Sequence, residues 1–219
     1  FNDVIDIKHI RSNRKGLSLN RNIGLKHATG DIVCFPDDDC TYYPDSLLKV
    51  NEFFNNFGFD FVLGRIYDRD LACPVIKEWP EKDKRIDRFN AYLYSSSITI
   101  FCRSNEVRFD ENLGAGTEYG SCEDPDYIIN LLDSGFSGMY KFGIEVNHPI
   151  PTLESFNIGK RLSYAKGFGY FLSKHKMLLL PYSIAFFIKN LRRVFKRDMD
   201  IRDFYNILMS FVVGACNRI

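Results

Sequence analysis

Residues 31–40 read DIVCFPDDDC, a short apolar strand that runs directly into three carboxylates, Asp37, Asp38 and Asp39. Strands of this composition usually end at Gly, Asn or a single acid, and adjacent acids repel one another. A hard divalent cation such as Mg²⁺ or Mn²⁺ binds carboxylate oxygens and would offset that repulsion. Ligands of open α/β sheets collect at the carboxyl ends of strands. The triplet is therefore a candidate metal site, with a solvated acidic turn as the alternative.

Helical and strand patterns alternate along the chain on both sides of this stretch. Apolar residues recur at helical spacing in some segments and form short apolar runs in others. Helices are predicted at residues 18–28, 44–57 and 124–133, and strands at residues 32–35, 60–67, 97–102, 139–142 and 144–146. Ser18 is the candidate N-cap of the first helix. The alternation predicts an α/β fold with a mainly parallel sheet flanked by helices.

Two other stretches flank the acidic triplet in sequence. Residues 15–30 read KGLSLNRNIGLKHATG, and residues 113–126 read LGAGTEYGSCEDPD. With the triplet they resemble glycosyltransferase family 2, in which a Gly-x-Ser-x-x-Arg-Asn-x-Gly helix precedes a strand ending in Asp-x-Asp, and a glycine-rich loop leads into Glu-Asp. The resemblance covers about residues 15–150. It implies a GT-A-type, Rossmann-like fold and an inverting, metal-dependent transfer of a sugar from a nucleoside diphosphate sugar.

The metal site implied by the resemblance consists of Asp37, Asp39 and His148. Asp39 would hold Mn²⁺ or Mg²⁺, and Asp37 would share the metal or face the ribose of the donor. The cation would stabilise the leaving nucleoside diphosphate as charge develops on it. His148 follows a predicted strand, a position compatible with completing the site, although a lone histidine is more often structural. Asp38 is assigned to donor binding.

Donor binding is also assigned to the first helix and to the glycine-rich loop. Arg21 and Asn22 interrupt a core-like helical pattern, and the planar guanidinium of Arg21 can hydrogen-bond a base or a diphosphate. The alternative for this pair is a surface ion pair beside a polar spacer. Gly116 belongs to a loop whose glycines let the backbone approach a ligand closely.

Glu123 and Asp124 are the predicted catalytic residues. The resemblance implies that Asp124 is the general base, which takes the proton of the acceptor hydroxyl as that oxygen attacks the anomeric carbon. Glu123 would orient the acceptor or the loop. A general base must lie within about 3 Å of the oxygen that carries the proton. The alternative is that these acids only complement the helix dipole, which favours them without any function.

The C-terminal part of the chain is basic. From Lys160 onward there are 12 Lys and Arg against 3 Asp and Glu, whereas the preceding residues carry 17 against 25. One helical face carries Lys189, Arg192, Arg193, Lys196 and Arg197, and another carries apolar residues. This pattern is typical of a helix that lies in a membrane interface, and a helix packed on the domain with a solvated basic face is the alternative. The apolar runs 177–188 and 204–216 are too short to span a bilayer.

These observations predict a catalytic domain at residues 1–150 and a helical, membrane-associating tail at residues 151–219. The net charge of +1 argues against a dedicated nucleic-acid binder. The six cysteines have neither Cys-x-x-Cys nor zinc spacing, which favours a reducing, cytoplasmic compartment. With the tail, they suggest the cytoplasmic face of a membrane. By the resemblance, the acceptor is a hydroxyl of a glycan or of a lipid-linked molecule in cell-surface polysaccharide synthesis.

Two rival functions stay open at this point. A metal-dependent nucleotidyltransferase also binds Mg²⁺ through carboxylates, but it usually has a Gly-rich basic loop near its N-terminus, and none is visible. The other rival is a truncated, inactive domain that acts only as a binding partner. Family 2 chains normally open with βαβ structure before the helix that begins here by residue 18, and there is no initiating methionine. We therefore expect that about 60 residues are missing, that the chain is poorly stable and that it binds nucleoside diphosphate weakly.

Trp79, the only tryptophan, lies in the polar, irregular segment 68–90. It is predicted either to stack on a sugar ring or to cap the core, and the residues around it favour neither alternative.

Overall fold

The computed structural model describes residues 5–150, 157–176 and 179–216, without the side chains of Leu179 and Leu180. Helices pack on a β-sheet in the first part, and three helices form the C-terminal part. The strands are β1 (Ile32–Cys34), β2 (Thr41–Tyr42), β3 (Phe61–Asp68), β4 (Cys73–Pro74), β5 (Lys84–Arg85), β6 (Ile100–Arg103) and β7 (Gly138–Asn147). The helices are α1 (Leu17–Leu25), α2 (Ser46–Asn56), α3 (Ala91–Tyr94), α4 (Glu123–Asp133), α5 (Ile158–Lys174), α6 (Leu179–Phe195) and α7 (Ile201–Cys216).

The sheet is mixed, with the strand order β1-β6-β3-β7-β2 and with β4 added to β3 and β5 to β7. β3 and β7 run parallel, and every other pairing among the described strands is antiparallel. The predicted α/β fold is confirmed, but the sheet is mixed rather than mainly parallel. The segment between β3 and β6 holds two two-residue strands and the four-residue α3. Because it has no long crossover helix, no parallel βαβ unit forms there.

β7 is one continuous strand, where two separate strands were predicted. Its pairing with β3 shifts register between Leu63 and Arg65. The glycine at position 64 permits this, because a Cβ there would lie 2.5 Å from the carbonyl oxygen of Ile144. At its far end β7 pairs with β2, with Thr41 opposite Asn147. This pairing brings the residue after β7, His148, next to the acidic turn that precedes β2.

α1 begins one residue before the predicted start and ends three residues before the predicted end. Gly16 precedes it with a φ of +134°, a conformation that favours glycine. Ser18 Oγ donates to the carbonyl oxygen of Leu113 at 2.6 Å, and no side-chain cap forms. The prediction that Ser18 is the N-cap is therefore wrong. Its hydroxyl ties α1 to the glycine-rich loop instead.

Trp79 caps the core of the irregular segment. Its side chain is buried, and its Nε1 donates to the carbonyl oxygen of Val75 at 3.0 Å. The ammonium of Lys77 lies 4.2 Å from the ring centroid. With its indole N–H satisfied and its ring covered, Trp79 is not presented to a sugar ring.

One apolar core runs from the sheet to the C-terminal helices. It includes the buried side chains of Phe61, Leu63, Tyr127, Ile128, Phe168, Phe171 and Phe211. Each such side chain stabilises the fold by about 1.5–3 kcal/mol when fully buried. The C-terminal helices thus share their core with the sheet and α4.

Glycines let α5 pack closely on α7. A side chain at Gly169 would overlap the carbonyl oxygen of Phe211, and one at Gly214 would overlap the carbonyl oxygen of Lys166. At these two points the backbones of the helices touch directly, so α5 and α7 form one tightly packed pair.

α5 also packs on the loop that leads into α4. A side chain at Gly120 would overlap Ser163, and a Cβ at Gly167 would lie 2.8 Å from the backbone of Ser121. Ser121 Oγ donates to the carbonyl oxygen of Tyr164 at 2.9 Å. The loop just before Glu123 therefore rests on α5.

The predicted boundary between residues 150 and 151 borders a segment outside the described residues, so the domain division stays a prediction. Residues 177 and 178 of the predicted apolar run also lie outside them. Within the described ranges, no helix is both long enough and apolar enough to cross a bilayer.

Candidate active site

Arg21 on α1 brings the two acidic segments together. Its Nη2 lies 3.3 Å from Asp37 Oδ1, just beyond the end of β1. Its Nη1 lies 3.2 Å from Asp124 Oδ1 and 3.8 Å from Glu123 Oε1, at the start of α4. Only 9% of the Arg21 side chain is exposed, and its planar fork suits contact with two carboxylates at once. Residues about a hundred positions apart in sequence thus meet at the carboxyl end of β1.

The acidic turn after β1 carries more negative charge than Arg21 offsets. Burial raises the pKa of Asp37, Arg21 opposes this shift, and the charges of Asp124 and Asp39 add to it. Asp38 and Asp39 are exposed. A polyanionic ligand such as a diphosphate would be repelled here unless a cation accompanied it.

Glu123 lies beneath the glycine-rich loop. A Cβ at Gly114 would lie 3.2 Å from Glu123 Cδ, and Gly114 has a φ of +103°, so both space and conformation favour glycine there. Burial raises the pKa of Glu123 well above its ordinary value of 4.5, and the charge of Asp124 adds to this. The loop therefore buries one member of the predicted catalytic pair.

His148 faces Asp39, with 3.5 Å between its Nε2 and Asp39 Oδ1. Its Nδ1 lies 2.7 Å from the carbonyl oxygen of Pro149. A carbonyl oxygen only accepts, so Nδ1 donates to it, and Nε2 is the ring nitrogen on the side of Asp39. Metal-binding histidines are commonly oriented by a hydrogen bond of this kind.

The donor atoms of Asp37, Asp39 and His148 fit a hard or borderline divalent cation such as Mn²⁺. In the described part of the chain, no group of three or more His, Cys, Asp or Glu side chains is already gathered closely enough to hold a metal. The predicted metal site therefore stays a prediction that rests on the chemistry of these groups and on the orientation of His148.

Two residues predicted to bind the donor have partners within the chain. Asn22 is buried, its Nδ2 donates to the carbonyl oxygen of Phe109 at 2.9 Å, and its Oδ1 accepts from the Phe109 N–H at 2.8 Å. Its amide holds α1 against the segment at residue 109, and the donor contact predicted for Asn22 stays a prediction. Gly116 has a φ of +83°, and a Cβ there would lie 3.4 Å from Gly16 N. Its glycine is explained by packing on the start of α1, and its donor contact stays a prediction.

A groove of about 470 Å³ runs along α1 and β1, and Arg21 and Asp37 are among the residues that line it. Its apolar lining includes Leu17, Leu25, Ala28, Ile32, Val33 and Phe35. The volume lies within the range of small-molecule sites. β1 is at one end of the strand order, so the groove follows an edge of the described sheet and leads to the acids.

Lys77 is a partly buried cation whose charge interacts with Asp124, and the sequence did not indicate it. Burial lowers the pKa of Lys77 to about 8, and the charge of Asp124 opposes this shift, which places the two groups within electrostatic reach. Its Nζ donates to the carbonyl oxygens of Leu93 and Ser95 at 2.9 and 3.0 Å. In the sequence, no motif distinguishes Lys77 from the other charged residues of the irregular segment 68–90. Trp79, two residues later, is the one unusual residue nearby.

Tyr164 of α5 also lies near the predicted catalytic pair. Burial raises the pKa of Tyr164, and the charges of Glu123 and Asp124 add to the shift. The sequence prediction missed this residue because it lies in the segment assigned to the tail.

Glu123→Gln is expected to make stability less dependent on pH. Since the pKa of Glu123 is raised in the folded state, folding takes up a proton above the ordinary pKa, and the stabilisation present in acid is lost as the pH rises through the folded pKa. The free energy of unfolding of the wild type should therefore fall with rising pH more steeply than that of the variant. Urea titrations at a series of pH values, without added divalent cation, measure this difference. If the free energy of unfolding of the two proteins changes with pH in parallel, the pKa of Glu123 is not raised in the folded state.

Comparisons with known proteins agree with this architecture. The family model described as "Glycosyl transferase family 2" matches residues 2–111, half of the chain. A search of curated proteins gave no match. The crystal structure of S. aureus TarS 1-349 in complex with UDP-GlcNAc has a TM-score of 0.54 and 14% identity, covering 96% of this chain and 65% of that chain.

Two further solved structures are similar. TarS 1-349 in complex with UDP has a TM-score of 0.52 and 16% identity, covering 92% of this chain and 61% of that chain. The mannosyltransferase PcManGT from Pyrobaculum calidifontis, in complex with GDP-Man and Mn²⁺, has a TM-score of 0.47 and 15% identity, covering 94% and 56%. The chain thus spans less than two thirds of the length of these structures. The likeness to TarS concerns the fold and confirms the predicted GT-A type, with its helical C-terminal region.

Proposed function

Because this chain belongs to glycosyl transferase family 2, we propose that it is an inverting, metal-dependent glycosyltransferase. It transfers a sugar from a nucleoside diphosphate sugar to a hydroxyl group of a glycan or of a lipid-linked acceptor. The reaction would serve the synthesis of a cell-surface polysaccharide. Membership of the family supports sugar transfer by this chain, and inversion, the metal, the acceptor and the biological role are proposed together with it.

The observation that best supports this function is the meeting of Arg21 with Asp37 and Asp124. The two carboxylates come from the end of β1 and the start of α4, and Arg21 and Asp37 also line the groove along α1. A donor that lies in this groove would bring its diphosphate to the acidic turn. Its anomeric carbon would then lie on the side of Asp124.

Asp37, Asp39 and His148 are the residues that would hold Mn²⁺ or Mg²⁺. When bound, the cation neutralises the diphosphate and stabilises it as a leaving group. The excess of carboxylates around Arg21 supports this assignment, because a diphosphate would otherwise meet like charge at the acidic turn.

Asp124 would act as the general base on the acceptor. Arg21 binds its Oδ1 at 3.2 Å and so holds the carboxylate in place, and Oδ2 would take the proton of the acceptor hydroxyl. The acceptor oxygen forms its bond to the anomeric carbon as the bond from that carbon to the diphosphate oxygen breaks. Attack from the face opposite the diphosphate inverts the configuration of that carbon.

The proposed location is the cytoplasmic face of a membrane. All six cysteines are free thiols, as is usual for a reducing compartment. A lipid-linked acceptor would be available at that face.

Asp39→Asn is expected to leave the protein folded and to lower sugar transfer more than tenfold, because an amide binds a divalent cation less strongly than a carboxylate. The measurement is release of nucleoside diphosphate from a panel of nucleotide sugars with Mn²⁺, with Mg²⁺ or with a chelator. UDP-GlcNAc enters the panel first, since it is the ligand in the TarS structure. A loss smaller than tenfold, about 1.4 kcal/mol, would remove Asp39 from the site.

Asp31→Asn is the matched control. Asp31 is exposed and lies at the opposite end of β1, so the variant loses the same charge without touching the acidic turn, and it should release nucleoside diphosphate at the wild-type rate. If no sugar in the panel gives metal-dependent release by the wild type, the proposed function is wrong for this chain.

A further inference from the structure

α6 and α7 expose apolar side chains in regular stripes. On α7 these are Ile201, Tyr205, Met209 and Val212, and on α6 they are Ile184, Phe187, Ile188 and Phe195. Ile201 is 67% exposed and Phe195 is 79% exposed. Residues spaced by three or four positions lie on one side of a helix, so each helix has an apolar outer face in addition to the face that packs inward.

The stripe on α6 borders α7. Phe187 of α6 packs edge-on against Phe204 of α7, with 5.7 Å between the ring centroids. On the inner side, Phe186 stacks on Phe211 with 4.8 Å between the centroids. The helices are thus held side by side, and the exposed ring of Phe187 extends the apolar patch of α6 to α7. Exposed patches of this kind mark interaction sites.

Basic residues border this patch. An open groove of about 460 Å³ follows α6, and it is lined by Lys189, Arg192, Arg193 and Lys196 together with Ala185, Ile188 and Asp198. Among the described residues none of these four cations forms an ion pair, whereas Arg88, Lys166 and Lys174 each pair with an acid. Burial and the nearby charge of Arg161 lower the pKa of Arg193, with Asp198 opposing. An anionic group in the groove would relieve this repulsion.

We propose that α6 and α7 together form a docking surface for an anionic lipid bilayer. The exposed apolar side chains enter the interface, and the basic groove contacts the phosphates of the headgroups. The surface comprises the outer faces of two helices, whereas the sequence indicated only the basic helix.

The combination of apolar and basic residues favours a bilayer over other occupants. A second copy of the chain would bring the same unpaired cations face to face, which is repulsive. A nucleic acid would contact the cations but would leave the stripe on α7 exposed to water. A bilayer with acidic lipids satisfies both features at once.

The test is co-sedimentation of the 219-residue chain with vesicles that contain phosphatidylglycerol, compared with vesicles of phosphatidylcholine alone. The wild type is expected to sediment with the acidic vesicles only, and less at high salt, because salt screens the attraction. Each basic residue near an anionic surface raises binding about fivefold. The groove variant Lys189→Glu/Arg192→Glu/Lys196→Glu should therefore bind at least about a hundred times more weakly.

Two further variants separate specific docking from net charge. A control variant reverses the same number of charges as the groove variant, at exposed positions around β5: Lys82→Glu/Lys84→Glu/Arg85→Glu. It should bind the vesicles like the wild type. Ile201→Ser/Tyr205→Ser/Met209→Ser keeps every charge and should lose binding through the apolar stripe. Circular dichroism melting curves confirm that each variant is folded before its binding is compared.

Three results would overturn the proposal. One is an absence of sedimentation with acidic vesicles at low salt, and another is equal loss of binding in the groove variant and its charge-matched control. The third is self-association of the wild type, abolished by the serine variant and unaccompanied by vesicle binding, which would assign the surface to a second copy of the chain.

Discussion

Asp124→Asn is expected to lower turnover about 10²–10⁴-fold, the contribution of a general base, while the affinity for the donor stays nearly unchanged. An amide cannot take the proton of the acceptor hydroxyl. Arg21 keeps its contacts with Asp37 and Glu123, and the groove along α1 is lined without Asp124. Steady-state transfer assays give the loss in turnover, and calorimetric titration with the nucleoside diphosphate and Mn²⁺ gives the donor affinity.

Glu123→Gln is the comparison that identifies the base. We expect a smaller loss of turnover in this variant, because Glu123 lies under the loop at Gly114 and is the less exposed of the two acids, at 13% against 20%. A larger loss for Glu123→Gln would assign the base to Glu123, whose raised pKa also suits proton transfer near neutral pH. If Asp124→Asn loses donor affinity in proportion to turnover, Asp124 is a ligand of the metal or the diphosphate.

Asp126→Asn is expected to destabilise the fold by about 3 kcal/mol, the lower end of the cost of removing one partner from a buried ion pair. The carboxylate of Asp126 is fully buried. Its Oδ1 lies 2.8 Å from His175 Nε2, and the carboxylate also accepts from Lys174 Nζ at 2.9 Å. The lower end applies because Lys174 keeps a second partner, Asp110 Oδ2, at 2.8 Å. Urea unfolding at neutral pH measures the change as a lower midpoint with an unchanged slope.

Asp124→Asn serves as the control for this measurement. It is the same substitution, two residues earlier on α4, and the lost contact with Arg21 is offset by the removal of repulsion between Asp124 and the carboxylates of Glu123 and Asp37. Asp124→Asn should therefore lose turnover and little stability, whereas Asp126→Asn should lose stability. An equal loss of stability in both would contradict a specific role for Asp126 in joining α4 to the end of α5.

The parts of the fold that the sequence predicted are those with strong local signals. The strand into the acidic triplet, α2, α4 and the amphipathic α6 were recognised from residues adjacent in sequence. The antiparallel direction of β6 relative to β3 was not predicted. It depends on how the segment after β3 returns to the sheet and not on the residues of the strand itself. The sheet is therefore mixed because of the connection between β3 and β6, which the strand sequences do not reveal.

The site residues show the same limit. Arg21 and Asn22 are neighbours in one motif, yet Arg21 meets the acids while Asn22 binds the backbone of Phe109, which is 87 positions away. Ser18 likewise bonds to Leu113, 95 positions away. A polar residue inside a helix cannot be assigned to a ligand or to the backbone until its distant partner is known. Lys77 and Tyr164 carry no local signal, because only the packing of other segments brings them within electrostatic reach of Asp124.

The glycine contacts between α5 and the loop before α4 bear on how enzymes of this architecture can be recombined. A side chain at Gly120 or Gly167 would force α5 away from the loop, and the loop carries Glu123 and Asp124 at its end. A chimera that takes its C-terminal helices from one homologue and its loop from another would therefore misplace Glu123 and Asp124. Loop and helix have to be exchanged together, roughly from Leu113 to the end of α5.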